Sequence, residues 1–131
     1  MFTRDLHIIE ARPVLDFPEA STPIEDFHHQ VLRPLLKMQN ELLLRQFAAW
    51  LREHKQSLAG KTVEAQRMLI EDACKTHNRL RAQAFGLISG VMTLPEYDFY
   101  LANQRELHKR ITSMWSKRLF DEKGALLQAL S

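Results

Sequence analysis

The chain has 131 residues, 45% of them hydrophobic and 26% charged, which is the size and composition of one globular domain and excludes a disordered polymer. The formal net charge of +2 is too small to favour nucleic acid as a partner. Cys74 is the only cysteine, so no intrachain disulfide can form. There is no apolar run near the roughly 18 residues of a membrane span and no signal-peptide pattern at the start, so we expect a cytoplasmic protein.

The first segment, residues 1–21, is predicted to be an extended arm. Pro13 and Pro18 bias the residues before them away from helical geometry. The segment is too apolar for a free tail, so we expect it to pack on its own bundle or on a neighbouring chain.

A first long helix is predicted over residues 22–59. Thr22-Pro23-Ile24-Glu25 is a capping box with proline at the first helical position, and apolar residues then recur at helical spacing. Pro34 predicts a kink or local break near residues 30–34. Gly60 is the predicted stop.

Two further helices are predicted over residues 62–90 and 93–120. Thr62 caps the first of them, and Thr93 with Glu96 forms a capping box for the second. Residues 121–131 form a tail. Because both connections are short, the helices should be antiparallel. The predicted fold is therefore a single all-α domain, an up-down-up bundle of three long helices.

The first helix is longer than its partners. At 1.5 Å per residue it spans about 55 Å, against roughly 40 Å for each of the others. The excess would expose Ile24, Phe27, Val31 and Leu32 unless Pro34 folds this end back, the arm covers it, or a second subunit does. Exposed apolar surface of that size usually marks an interface, which favours a homodimer through the arm and the start of helix 1.

Polar residues lie at positions where a helical period of about 100° per residue places the apolar arcs. A hairpin centred near residue 92 would set His77 opposite His108 and Arg81 opposite Gln104. The same pairing about Gly60 brings Gln39 and Gln46 of helix 1 level with these residues along the bundle axis. The candidate ligand-binding residues are His77, Arg81, Gln104, His108, Gln39, Gln46 and Tyr97.

Arg81 is the informative member of this set, because an unpaired buried guanidinium costs several kcal/mol. No carboxylate nearby in sequence points inward. Three interpretations remain: its side chain reaches the surface along its own stem, it belongs to a satisfied polar network, or the zone is a pocket for an anionic ligand.

Other motifs are weaker. Glu25-x-x-His28 has the spacing of half a di-iron site, but no second copy is present. The basic residues of helix 3 are spread around the helix, so nucleic-acid binding is disfavoured. No P-loop, dinucleotide fingerprint or nucleophile elbow occurs. We predict no catalytic residue, metal or cofactor. The basic residues in question are Arg105, Lys109, Arg110, Lys117 and Arg118.

The segments LRPLLKMQNELLL (residues 32–44) and RLRAQAFGLISGVMTLPEYDFY (residues 79–100) resemble a small family of bacterial helical proteins of similar length, found mainly in Bacteroidetes-type genomes and sometimes labelled glyoxalase. The resemblance covers most of residues 31–120. It implies an all-helical fold and carries over no catalytic residue, since no activity is established for that family. The chain has neither the strand-rich repeat nor the clustered histidine-aspartate motif of glyoxalase enzymes. The residues that carry the resemblance are Arg33, Pro34, Lys37, Gln39, Asn40, Arg81, Gly86, Gly90, Thr93, Glu96 and Tyr97.

These features favour a non-enzymatic helical interaction module that forms homo-oligomers. The alternatives are a protein or enzyme that binds an anionic small molecule around Arg81, and nucleic-acid binding through helix 3.

Overall fold

The computed structural model describes residues 3–124 and 126. In this part of the chain the regular elements are all helices, which confirms the all-α class. None of these helices has both the length and the apolar composition that crossing a bilayer requires. The elements are α1 (Thr3–Ala11), α2 (Pro23–Phe27), a π-helical turn (His28–Leu32), α3 (Arg33–Met38), α4 (Asn40–Glu53), α5 (Val63–Thr76), α6 (Asn78–Ser89), α7 (Leu94–Ala102) and α8 (Gln104–Asp121).

The prediction of an extended arm over residues 1–21 is wrong for α1, which is helical from Thr3 to Ala11. The proline restriction acts only on the residue before each proline, so Pro13 limits Arg12 and leaves the preceding residues free to form a helix. Residues 12–20, which contain both prolines, are not helical. Residues 1 and 2 of the predicted arm lie outside the described residues.

The first predicted helix is divided into shorter ones. The Thr22 side chain caps α2 by accepting from the Glu25 amide at 3.1 Å. Pro34 has no N–H to donate, which interrupts the α-helical hydrogen bonds. The residues before it form a π-helical turn, in which the Arg33 amide donates to the His28 carbonyl five residues back. The helix ends at Glu53 and not at residue 59, followed by a connection in which Gly60 adopts a positive φ of 77°.

The other two predicted helices are also interrupted, so the prediction of continuous helices over residues 62–90 and 93–120 is wrong. His77 is extended (φ −84°, ψ 98°) between α5 and α6. Asn103 (φ −128°, ψ 26°) separates α7 from α8, and its side-chain amide donates to the Phe99 carbonyl at 3.0 Å. Of the predicted tail, residues 125 and 127–131 lie outside the described residues.

The break at His77 gives the two halves of the second predicted helix different packing partners: α5 packs on α8, and α6 packs on α4. The side-chain amide of Gln39 donates to the Leu87 carbonyl at 2.6 Å, and that of Gln46 to the Leu80 carbonyl at 3.3 Å. These bonds place α4 and α6 antiparallel. The core between the helices is built around large buried side chains, including Phe47, Leu51, Ile70, Leu107, Ile111 and Trp115.

The start of the first predicted helix is covered by the chain itself. Phe27, Val31 and Leu32 are buried, and the Phe27 ring stacks on Phe99 with centroids 4.7 Å apart. The expectation that this end needs a second subunit therefore loses its basis. Exposed apolar side chains lie elsewhere, among them Leu6 and Ile9 of α1 and Leu94, Tyr97 and Leu101 of α7.

Polar contacts hold α1 against the turn between α6 and α7. Asp5 is 2% exposed and accepts from the Leu94 amide at 3.2 Å, at the N-terminus of α7. Arg12 makes a bidentate ion pair with Glu96 at 2.7 and 2.8 Å, and Arg4 donates to the Gly90 and Met92 carbonyls. Asp5 is the buried residue of α1, so charged groups rather than apolar packing attach this helix.

Candidate ligand-binding groove

Part of the predicted site is brought together near Arg81. The His108 ring stacks on Phe85 with centroids 3.9 Å apart, and its Nε2 is hydrogen-bonded to the Tyr100 hydroxyl. Arg81, Phe85 and His108 line one shallow recess. Two other predicted residues adjoin it through Tyr100, since Gln104 hydrogen-bonds the Tyr100 side chain and the Tyr97 ring lies 5.8 Å from it.

The remaining predicted residues have structural contacts elsewhere. His77 does not oppose His108, because the break at this residue turns the chain. Its Nδ1 accepts from the Leu80 amide at 3.5 Å as the cap of α6, and its ring lies 5.1 Å from Trp50 and 4.8 Å from His54. The two glutamines of the predicted site, Gln39 and Gln46, join α4 to α6 through the bonds described above, so they form no common interior zone with the histidines.

Arg81 is half-buried and lies at the junction of α5 and α6. One guanidinium N–H donates to the Lys75 carbonyl at 2.9 Å. This carbonyl is in the last turn of α5, where the helix dipole favours a cation. The guanidinium also lies 5.5 Å from the Phe85 ring. The buried Nε of Arg81 has no hydrogen-bond partner in the described part of the protein, so its donor capacity is incompletely used.

A groove of about 600 Å³ runs between α5 and α8, with Arg81 at one end. We call it the α5–α8 groove. Its walls carry five cationic and two acidic side chains, and α8 contributes small hydroxyl side chains where larger apolar ones would close the gap. The lining residues are Arg67, Glu71, Lys75, Arg81, Lys109, Thr112, Ser113, Ser116, Lys117, Phe120 and Asp121.

The two ends of the groove differ in charge compensation. At the Arg81 end, defined by Lys75, Arg81 and Lys109, the three cations form no ion pair with any residue in ranges 3–124 and 126. At the other end, Lys117 lies 3.3 Å from Asp121. The Arg81 end is therefore the more electropositive.

The opposite end, which we call the Phe120 end, is built around an aromatic ring. The Arg67 guanidinium lies 4.3 Å from the Phe120 centroid, within the range of a cation–π contact. It also approaches Glu64 at 3.9 Å, in a largely exposed pair. The Glu64 carboxylate partly offsets the Arg67 charge, whereas the ring orients the guanidinium without neutralising it.

Hydroxyl groups line the middle of the groove. Thr112 is buried, and its Oγ1 has no hydrogen-bond partner among the described residues. Ser116 is also buried and donates to the Ser113 carbonyl at 3.2 Å. A buried hydroxyl without a partner costs roughly 1–3 kcal/mol, so Thr112 marks a position at which a ligand or a water molecule would complete the structure.

Burial keeps the groups beside the Arg81 end uncharged. It lowers the pKa of His108, and the nearby Arg81 charge lowers it further. Burial raises the pKa of the Tyr100 hydroxyl despite its bond to Gln104. The Tyr100–His108 pair is therefore neutral near pH 7, and the positive charge at this end comes from Lys75, Arg81 and Lys109.

Sequence analysis identified Arg81 and His108 but missed the groove itself. Lys75 and Lys109 have the pattern of ordinary solvated residues. The sequence feature that could have indicated the groove is on α8, where Thr112 and Ser116 share the inward face with Trp115. Small hydroxyl residues are also common where two helices pack closely, so this feature alone does not predict a groove.

In the described part of the chain, no three histidine, cysteine, aspartate or glutamate side chains are arranged to hold a metal ion. Comparison with protein-family models, with curated proteins and with solved structures found no match. The resemblance to a bacterial helical family stated above therefore stays a prediction.

Proposed function

We propose that this protein binds an anionic small molecule in the α5–α8 groove. The observation that supports this most directly is the Arg81 end, where three cations lie together without a carboxylate partner in the described residues. Like charges on one concave wall repel one another, and an oxyanion relieves that repulsion by accepting charge-assisted hydrogen bonds.

The shape of the groove supports a small molecule as the ligand. Its volume of about 600 Å³ is in the usual range of ligand pockets. Ten of its eleven lining residues are charged or carry a hydroxyl, which suits a polar, anionic ligand, and Phe120 supplies the aromatic part of the wall. A second cleft beside the π-helical turn is less suitable, because its Arg118 and Arg33 already donate to Asn40 and Asp16.

Inorganic phosphate is the first probe, added at low and constant ionic strength because the screening length is about 30 Å at 0.01 M salt. Backbone amide NMR signals of α5 and α8 around Lys75 and Lys109 should shift with phosphate and not with chloride of equal ionic strength. A Lys75→Gln/Lys109→Gln variant should lose most of this response. Its matched control is Lys37→Gln/Lys61→Gln, which removes the same charge from exposed positions outside the groove.

A retained response in the Lys75→Gln/Lys109→Gln variant, or an equal loss in the control, would refute anion binding at this end. Arg81→Lys adds a further test, because it keeps the charge but replaces the planar guanidinium.

Self-association is the second candidate function, supported by one observation on α7. Leu94, Tyr97 and Leu101 have the spacing i, i+3, i+7 of a packing stripe, yet they are 42%, 39% and 49% exposed. Leu6 and Ile9 of α1 are exposed as well, and the Asp5–Leu94 bond ties α1 to the start of α7.

Sedimentation over a range of concentrations tests this candidate. Leu94→Ser/Leu101→Ser should shift a dimer to monomer, whereas Leu42→Ser/Met68→Ser, which alters two exposed apolar residues on other helices, should not. A wild-type chain that is monomeric at micromolar concentration would exclude the candidate. Nucleic-acid binding through α8 is not proposed, because Arg110 pairs with Glu106 and Lys117 with Asp121, leaving no continuous basic face.

A further inference from the structure

We infer that the ligand of the α5–α8 groove is an elongated molecule with two anionic ends, about 12 Å apart, and a middle without negative charge. This inference rests on the proposed function and specifies the class of ligand.

The first step is the register of the two helices. Arg67, in the first half of α5, lies over Phe120 near the end of α8. Arg81, just beyond the end of α5, shares a recess with His108 near the start of α8. The helices are therefore antiparallel along the groove, and each end is formed by residues from both.

The second step is the spacing of the cations. On α5 the groove-lining cations are Arg67 and Lys75, and on α8 they are Lys109 and Lys117. The members of each pair are eight residues apart, which corresponds to about 12 Å at 1.5 Å per residue. Because the helices are antiparallel, each end of the groove receives one cation from each helix, and Arg81 adds a third at its own end.

The third step is the middle of the groove. Glu71 lies midway between the cations of α5 and has no ion pair in the described part of the chain. Its carboxylate would repel a negative charge bound between the two ends. Thr112 supplies an unused hydroxyl in the same wall. A uniformly charged strand, such as a nucleic-acid backbone, is therefore disfavoured, and a neutral spacer is favoured.

The ends should also differ in strength. The Arg81 end has three cations that form no ion pair within the described part of the chain, so it suits the more highly charged group, such as a phosphate or phosphonate. At the Phe120 end Asp121 offsets Lys117, so a carboxylate beside an apolar segment is sufficient. The ligand would then bind in one preferred direction.

The test is a chain-length series of linear α,ω-dicarboxylates, with monocarboxylates of the same length as controls, measured by calorimetric or NMR titration. At roughly 1.25 Å per bond of an extended carbon chain, a span of about 12 Å needs about ten bonds. Affinity should peak between about nine and twelve carbons. At the peak the dianion should bind at least about tenfold more tightly than its monoanion, because the second contact is intramolecular.

Two variants separate the ends. Lys117→Gln should reduce the affinity of the dianion to about that of a monocarboxylate of the same length, whereas Lys109→Gln should weaken the binding of both. Equal binding of mono- and dianions, or affinity independent of length, would overturn the two-ended ligand while phosphate binding at Lys75 and Lys109 still stood. If the wild type instead shows no phosphate response that depends on Lys75 and Lys109, the proposed function itself is refuted.

Discussion

The ion pair between Arg12 and Glu96 should contribute more to stability than the surface pairs of this protein. Its two hydrogen bonds measure 2.7 and 2.8 Å, and its side chains are only 11% and 19% exposed. Charge-assisted hydrogen bonds in such surroundings contribute about 1.5–3 kcal/mol. Arg12→Ala should therefore lower the free energy of unfolding by about 2 kcal/mol.

A double-mutant cycle isolates the pair. Glu96→Gln is the suitable partner substitution, because glutamine can keep the capping contact with the Thr93 amide while losing the charge. Urea unfolding of the wild type, both single variants and the double variant should give a coupling energy of about 1–2 kcal/mol. The control cycle is Arg45→Ala with Glu41→Gln, a pair whose side chains are 74% and 80% exposed, where about 0.3–0.5 kcal/mol is expected.

Acid should abolish the coupling. Burial raises the pKa of Glu96, but the Arg12 hydrogen bonds and charge, together with the Thr93 amide, lower it by more, so the folded-state value lies below the ordinary 4.5. The contribution is therefore complete above about pH 4.5 and is lost as the pH falls through the lower folded-state value. Coupling equal to that of the control pair at neutral pH, or coupling that persists in strong acid, would refute this account.

Three further predictions concern single positions. Gly86→Ala should raise the free energy of unfolding by about 0.5–1 kcal/mol, because an added Cβ there meets no other atom and alanine favours a helix. Gly90→Ala should lower it in the same urea assay, because the added Cβ would lie 2.8 Å from the Gly86 carbonyl oxygen. Burial holds the pKa of His28 and His108 below the ordinary 6.5, so the unfolded chain binds protons first and stability should fall as the pH drops below about 6.5. His108→Gln should make that decline shallower, and an unchanged slope would contradict the assignment. Burial raises the pKa of the Cys74 thiol far above its usual range, so a thiol-reactive dye should label the native protein no faster than it unfolds.

The starts of α2, α5 and α7 could be predicted from the sequence because their signals are local, whereas those of α1, α4, α6 and α8 were not predicted. Thr22, Thr62 and Thr93 each accept from the amide three residues later, as their motifs require. Such a cap needs only the threonine side chain and a backbone amide three residues later, so it forms without any contact to distant residues. The break before Pro34 could be predicted for the same reason, since the missing N–H belongs to the proline itself.

The interior breaks were not predicted: the break at Asn103 is held by a local bond to the Phe99 carbonyl, and the break at His77 depends in part on a contact with the distant Trp50. His77 and Asn103 carry no glycine or proline signal, and both fit a helical period. The break at His77 is compatible with the fold because Arg81 covers an α5 carbonyl and the His77 ring packs beside Trp50. The Trp50 contact exists only after α4 has packed against the junction of α5 and α6.

Part of the candidate site could likewise be predicted from local sequence, and part could not. Arg81 could be singled out because a guanidinium in an apolar arc is unusual. The groove depends on how far α5 lies from α8, which is set by packing volume and has no local signature. Lys75 and Lys109 gain their significance only when the register brings them to one end of that space.

The attachment of α1 through Arg4, Asp5 and Arg12 has a consequence for the dynamics of the protein. A helix that buries little apolar surface gains little from the cooperative core, so it can detach and return while the remaining helices stay folded. Its amide hydrogens should then exchange with solvent faster than those of α5 and α8, and added salt should increase that difference. We therefore expect the N-terminal helix to open as a separate unit, at a rate that depends on ionic strength more than on the global unfolding of the domain.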